Sequence, residues 1–510
     1  MKSFLINNIR EDCRLLRVEL LKAKFQFQRR ISYRSIFAIL GSLLMLEGIF
    51  MALGIPFALI YGNDHWPLTA SAYITFTFGF FSWLPNRGKI TEELTKREGY
   101  LIVTLTWIVI SLFGTLPYFF SPYYVTITDA FFESMSGFTT TGASIIEDLG
   151  SVPESILFWR SMTQWIGGMG IIMLTLAIVP ILGIAGFQLF SAETTGPQKN
   201  KIHPKVKGTV KRLWLIYLSL TLIQYILLRF GDMSPFQAIC HSLSTVSTGG
   251  FSSEPTSIEH FSSYIQYVIT VFMVLGGINF TIIYFLLRRN FKKIKENHEL
   301  WAYLGIILVA TAIITAGLFM QSGRDFEESF RHALFQVVSI LTTTGFVAQN
   351  YLNWPAALVM ILFMLMFIGG MTGSTSGGIK VYRQSILVKN SYLELKRLIH
   401  PNAIVPLTFS KKIIDTSTLY KIMSFFALYA LICFFSIFVM SLLGLDFETS
   451  IGSVVASIGN IGPGIGKVGS EYSFAAIPNI GKWYLCFLML LGRLELFTVL
   501  VLFTAKFWKK

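Results

Sequence analysis

The sequence predicts an all-α polytopic membrane protein, on three observations: an apolar composition, ten runs long enough to cross a bilayer, and a Thr- and Gly-rich block used four times. Of 510 residues, 53% are hydrophobic and 14% charged, with a mean hydropathy of +0.60, far from an ordinary soluble domain. A helix needs about 20 mostly apolar residues to span the hydrocarbon core. Such runs lie near 36–62, 67–86, 99–120, 156–190, 209–231, 262–287, 300–320, 357–379, 413–444 and 480–505. The first follows about 35 polar and basic residues without a small-residue cleavage site, which marks a retained helix and not a signal peptide.

A net charge of +14 by itself would suit nucleic acid, but 34 of the 42 Lys and Arg fall in six segments: 1–35, 87–98, 191–213, 288–299, 380–413 and 506–510. All six lie on one side of a ten-helix chain. The positive-inside bias makes that side cytoplasmic, both termini included, with anionic lipid and not nucleic acid as its partner. Segment 121–155, with Glu133, Glu147, Asp148 and Glu154 and no Lys or Arg, faces out. Cys13, Cys240, Cys433 and Cys486 are scattered without metal or disulfide spacing, and the seven histidines never pair at i, i+4. No paired carboxylates, Ser-Lys or Ser-His pair or His-rich cluster sits in the spans, so an intramembrane enzyme is not expected.

The repeated block reads "SMSGFTTTGAS" from Ser134, "AICHSLSTVSTGGFS" from Ala238, "ALFQVVSILTTTGFV" from Ala333 and "SIGSVVASIGNIGPG" from Ser450. Aligned on Gly142, Gly250, Gly345 and Gly462, the residue twelve back is Ala130, Ala238, Ala333 or Ser450, and six back Ser136, Ser244, Ser339 or Ala456. Two before each glycine stands an oxygen-bearing side chain, Thr140, Thr248, Thr343 or Asn460. The glycines are 108, 95 and 117 residues apart, room for a helix down, a link and a helix up.

Non-helical backbone at membrane depth persists only where it is buried in protein or lines a water-filled cavity. Four such loops should therefore converge on one aqueous axis. A dehydrated cation there needs a ring of oxygens, and Gly reaches the positive φ that lets backbone carbonyls form it. The candidate ring comprises Thr140, Thr141 and Gly142; Thr248, Gly249 and Gly250; Thr343, Thr344 and Gly345; and Asn460, Ile461 and Gly462. A short helix of roughly 15 Å should precede each glycine, its C-terminal partial negative charge aimed at the cation.

Two further features stand out. "GGMTGSTSGG", Gly369 to Gly378, places five glycines in ten residues of an apolar run, which will not hold a lipid-facing helix. It should break there, either lining the pathway or kinking for packing; a phosphate-binding loop is excluded because no Gly-Lys-Ser/Thr follows. Arg493 stands inside the last run, at a cost of at least about 2.5 kcal/mol at midbilayer. It should face the aqueous axis, as a barrier to cations, or pair with another helix; Glu495, two residues on, points away.

Together with "QWIGGMGIIML" from Gln164, "FIGGMTGSTSGGIKVYR" from Phe367 and "LLGRLELFTVLVLF" from Leu490, these blocks make residues 36 to 510 resemble the TrkH branch of the Trk, Ktr and HKT potassium transporters. The resemblance implies four potassium-channel-like M1-P-M2 repeats with pseudo-fourfold symmetry. The organisation is then a basic cytoplasmic segment 1–35, two extra helices 36–98, and pore repeats 99–190, 191–299, 300–400 and 401–510. It implies K⁺ uptake across the bacterial inner membrane through the candidate ring as selectivity filter. The gate would comprise Gly369, Gly370, Gly373, Ser374, Thr375, Gly377, Gly378 and Arg493. It further implies a homodimer and a cytosolic TrkA-like regulator that binds NAD(H), ATP or ADP, with no cofactor held tightly by this chain. Basic linkers near Lys199 to Arg212, Arg288 to Lys295 and Lys389 to Lys412 are the surfaces open to that regulator. The 35-residue basic N-terminus and "NIGPG" in the fourth block depart from the family pattern. A secondary transporter coupling K⁺ or Na⁺ to H⁺ or Na⁺ remains the alternative, although carrier repeats are usually inverted or paired halves and these four are parallel.

Overall fold

A computed structural model of the chain describes residues 31–88, 95–123, 126–168, 170, 206–322, 325–401 and 405–509. Nearly all of the basic N-terminal segment, most of the second half of run 156–190, and the linker around Lys199 lie outside the described residues. Five described helical stretches are long and apolar enough to cross a membrane: Tyr33–Tyr61, Arg97–Phe119, Lys211–Arg229, His298–Met320 and Thr416–Leu442. Run 67–86 forms the helix Trp66–Trp83, and run 156–190 enters as Glu154–Gly168.

Runs 262–287 and 480–505 are each broken into two helices. Ser263–Gly277 and Phe280–Leu287 meet at 106°, and Asn479–Arg493 and Phe497–Phe503 at 109°. At the first break Ile278 is extended, and the Asn279 side chain caps the new helix by accepting from the Thr281 N–H at 2.8 Å. At the second, Glu495 and Leu496 turn left-handed, with φ of 58° and 52°, a conformation that residues with a Cβ rarely adopt. Run 357–379 holds helix only over Ala356–Leu365; the next long helix is Val381–Ile399.

Four short helices sit between the long ones: Ile127–Phe138, Pro235–Val246, Phe326–Leu341 and Phe447–Gly459. Three start on a side-chain cap. Thr126 accepts from the Asp129 N–H, Asp446 from that of Thr449, and Ser234 forms a reciprocal capping box with Gln237. The small residues of the alignment explain how closely these helices pack, since Ala130, Ala238, Ala333, Ser450, Ser136, Ser244, Ser339 and Ala456 are all fully buried.

Among the described residues, basic segments meet in two groups, the chain's two ends with the link before Arg97, and the links around Glu296 and Lys411. The Ser32 N–H donates to Glu98 at 2.8 Å, Arg97 to the Lys509 carbonyl at 2.8 Å, and Lys411 to Glu296 at 2.9 Å. The two N-terminal helices cross with backbones almost touching. A Cβ at Gly41 would lie 2.6 Å from the Gly79 carbonyl oxygen, and one at Gly79 2.7 Å from that of Gly41. Small residues at such a crossing let dispersion and weak polar contacts hold helices that lipid does not push together. Gly41→Leu should therefore force the pair apart and cost about 1–3 kcal/mol, read as a lower thermal unfolding midpoint of the purified protein in detergent.

Candidate functional site

Each short helix ends three or four residues before its glycine, and the four endings are built alike. Thr140, Thr248, Thr343 and Asn460 are left-handed, with φ of 52°, 54°, 56° and 53°. The next amide in each, that of Thr141, Gly249, Thr344 or Ile461, donates to the carbonyl of Ser136, Ser244, Ser339 or Ala456 at 2.9 to 3.0 Å. The left-handed residue's own N–H donates to the carbonyl of Gly137, Thr245, Ile340 or Ser457. This is the helix-ending motif in which two carbonyls are satisfied after a left-handed residue, a position that glycine usually fills. Three β-branched threonines there store strain of order 1–3 kcal/mol each, a kind of strain that clusters at functional sites.

The four loops close on one another in chain order. A methyl group added at Gly142 would fall on the Gly249 carbonyl oxygen, one at Gly250 on that of Thr344, one at Gly345 on that of Ile461, and one at Gly462 2.8 Å from that of Thr141. Each glycine has φ between 77° and 99° and faces the next loop where no side chain fits. All four line one cavity of about 360 Å³, together with Glu147, Glu254 and Glu471. Three of the four oxygen-bearing side chains keep an oxygen open: among the described residues, Thr140 Oγ1 and Asn460 Oδ1 accept no hydrogen bond, and Thr248 Oγ1 donates to the Ser247 carbonyl at 2.7 Å.

Side chains the sequence reading did not single out brace this ring. Arg160, from Glu154–Gly168, pairs at 2.8 Å with Glu133 of the first short helix, and both are buried. Its guanidinium also donates to the Ser252 carbonyl at 3.1 Å and lies 4.2 Å from the Phe251 ring centroid. Gln164 donates to the Gly249 carbonyl at 2.7 Å and accepts from the Phe251 N–H at 3.0 Å, straddling Gly250. These bonds tie the first repeat to the second. Arg331 to Gln266 at 2.5 Å ties the third to the second, and Tyr351 to the Gly464 carbonyl at 2.6 Å ties the third to the fourth. Lys482 to Asp129, at 2.6 Å, returns from the fourth to the first. Arg160 carried the same signal as Arg493, an arginine in the apolar stretch "LFWRSMTQW"; nothing local in the sequence marks Gln164.

The predicted break at Gly369 to Gly378 meets the second, third and fourth repeats directly. Met371 N–H donates to the Gly277 carbonyl at 2.9 Å, and Thr375 Oγ1 to those of Val246 and Gly276 at 3.1 Å. Asn279 Nδ2 donates to the Thr372 carbonyl at 2.5 Å, and the Gly377 N–H to Thr343 Oγ1 at 2.6 Å. A Cβ at Gly377 would meet the Gly459 carbonyl oxygen at 2.5 Å. Gly369, Gly373 and Gly378 have φ of 82°, 80° and 71°, Gly370 packs against Ser376, and Ser374 and Ser376 share a hydrogen bond at 2.6 Å.

Arg493, buried at the end of its helix, donates to the Thr375 carbonyl at 2.8 Å and to those of Gly167 and Gly168 at 2.5 and 3.1 Å. Glu495 instead pairs with Arg383 at the start of Val381–Ile399. Arg493 thus ties the Gly-rich segment to the first and fourth repeats.

Residues 67–510 match the family model for TrkH, described as a cation transport protein. The chain is similar to the "Trk system potassium uptake protein TrkH" of Salmonella typhimurium, 42% identical over 94% of this chain and all of that protein. Its counterpart in Escherichia coli K12 is 41% identical over the same shares. The fold is similar to the crystal structure of the potassium transporter TrkH from Vibrio parahaemolyticus, with a TM-score of 0.84 and 36% identity over 94% of this chain and all of that one. Independently of these likenesses, Arg160→Ala should strand Glu133 as a buried charge and cost about 3–5 kcal/mol. Arg160→Met combined with Glu133→Gln should recover much of the loss in thermal unfolding of the purified protein.

Proposed function

Since the chain belongs to the TrkH family of cation transport proteins, we propose that it takes up K⁺ across the bacterial inner membrane through a filter made by its four loops. It is a transporter and not an enzyme. The observation that carries the filter reading is the chain-order closure of Gly142, Gly250, Gly345 and Gly462 around one cavity. In this reading the four units are M1-P-M2 repeats with pseudo-fourfold symmetry, after two extra helices. The filter is formed by Thr140, Thr141 and Gly142; Thr248, Gly249 and Gly250; Thr343, Thr344 and Gly345; and Asn460, Ile461 and Gly462. K⁺ enters from the cavity whose wall includes Glu147, Glu254 and Glu471. Carboxylates there raise the local cation concentration, and dehydration is offset by ring oxygens.

Below the ring, the segment from Gly369 to Gly378 is the gate, closed by its hydrogen bonds to the second, third and fourth repeats and, through Arg493, held to the first. The meeting of both chain ends with the basic link before Arg97, together with the one-sided distribution of Lys and Arg in the sequence, supports cytoplasmic termini. That face would receive a cytosolic TrkA-like regulator, which carries the nucleotide signal, and the functional unit would be a homodimer. Potassium-dependent growth of an uptake-deficient host tests the overall reading: expression should restore growth at low K⁺, and failure of a well-expressed protein would count against it.

The filter reading predicts that Gly142→Ser, whose side chain meets the Gly249 carbonyl, weakens K⁺ preference over Na⁺ about tenfold or more while the protein still folds. Liposome permeability ratios unchanged in a monodisperse variant would defeat it. The gate reading predicts that Arg493→Ala raises regulator-free Rb⁺ flux per folded protein. Arg493→Lys separates two causes: retained block means the positive charge itself is the barrier, whereas released block means the guanidinium fork across Thr375, Gly167 and Gly168 holds the gate. A fall in flux for Arg493→Ala at normal thermal stability contradicts both.

A further inference from the structure

We propose that a cation at the inner end of the filter and closure of the Gly369 to Gly378 segment compete for one oxygen, Thr343 Oγ1, so that K⁺ itself acts as an opening ligand. This rests on the filter and gate readings above and concerns how that same site is regulated.

The four equivalent side chains differ in one respect. Thr140 Oγ1 and Asn460 Oδ1 accept no hydrogen bond among the described residues, and Thr248 Oγ1 gives its hydrogen to the Ser247 carbonyl, leaving its lone pairs open. Asn460 uses only its Nδ2, donating to Thr141 Oγ1 and the Met489 carbonyl at 3.0 Å. Thr343 Oγ1 alone of these oxygens accepts a main-chain donor, the Gly377 N–H at 2.6 Å.

The positive end of an amide dipole therefore sits where the electrostatics of the other three loops leave room for a cation. A hydroxyl oxygen has two lone pairs, yet it faces both only at a cost, because the N–H and the cation bring like-signed charge close together at the same atom. Gly377 is also wedged against the fourth loop, where a Cβ would lie 2.9 Å from the Asn460 Cβ. One amide thus couples the segment to two of the four loops.

Linkage makes the competition reciprocal: whatever factor the closed segment takes from ion affinity at the inner site, the ion takes from closure. The main chain of Thr343 is held left-handed, at φ 56°, by the helix-ending hydrogen bonds around it, so the conflict is not relieved by a small rotation of the backbone.

The test is hydrogen exchange across residues 369–378 in the full-length protein in lipid nanodiscs, in K⁺ and in N-methylglucamine, beside regulator-free Rb⁺ flux and thermal unfolding in the same salts. Wild-type protein should exchange faster in K⁺. Thr343→Val, which removes the acceptor at similar volume, should exchange fast in both salts and pass Rb⁺ about threefold to tenfold faster, the factor one ordinary hydrogen bond supplies. Thr343→Ser, which keeps the oxygen, should retain the K⁺ response. If K⁺ raises the wild-type unfolding temperature yet leaves exchange of the segment unchanged, an ion binds but the competition does not exist, and the proposal falls while the filter stands. If K⁺ changes neither, filter and proposal fall together. The wild-type comparison alone is decisive should Thr343→Val fail to fold.

Discussion

Backbone polar groups that leave a helix inside a membrane must find their partners within the protein, and that constraint organises this molecule. Its described non-helical stretches at depth are the four loops, the breaks at Ile278–Asn279 and Leu494–Leu496, and the segment from Gly369 to Gly378. They gather in one place. The Gly276 and Gly277 carbonyls freed near one break accept from Thr375 and Met371, and the Phe280 N–H donates to the Gly373 carbonyl at 3.2 Å. The Gly167 and Gly168 carbonyls are taken by Arg493. A polar interior of this kind stays dry of lipid because the surrounding helices carry the apolar surface outward.

The same constraint explains why the polar braces are charged. Hydrogen bonds made by ionised groups are roughly twice as strong as neutral ones, and a guanidinium reaches several carbonyls from one helix. Arg160 and Arg493 each span two repeats in this way, one on either side of the ring. Neither is a surface ion pair of small value. Both are buried, so removing either leaves carbonyls or a carboxylate unsatisfied in a medium of low dielectric.

Much of this was legible in the sequence, because the small and glycine positions obey steric rules that leave a mark. Ala or Ser recurs at the fully buried aligned positions of the short helices, and only Gly fits where a Cβ would strike a neighbouring carbonyl. The five glycines from Gly369 to Gly378 were legible for the same reason. The left-handed threonines were not, since the rule for helix ends calls for glycine there and tertiary contacts override it. Nor was the break at Leu494–Leu496, whose residues are good helix formers bent by the Arg383–Glu495 pair and the Arg493 contacts. Partners such as Gln164 with Gly249 are 85 residues apart, and no local pattern encodes them.

The bond that closes the ring has a consequence for how the protein comes into being. Asn460 meets Thr141 across 319 residues and Lys482 meets Asp129 across 353, whereas the other seams join neighbouring repeats. Synthesis runs from the N-terminus, and domains made first fold first. Between synthesis of Gly345 and of Gly462 the nascent chain therefore carries an open arc of three loops with an unsatisfied flank, including the 0%-exposed Thr141. That flank has no partner in the fourth repeat until the last loop arrives. A chain that stops short of Asn460 lacks both bonds that close the arc, Asn460 to Thr141 and Lys482 to Asp129.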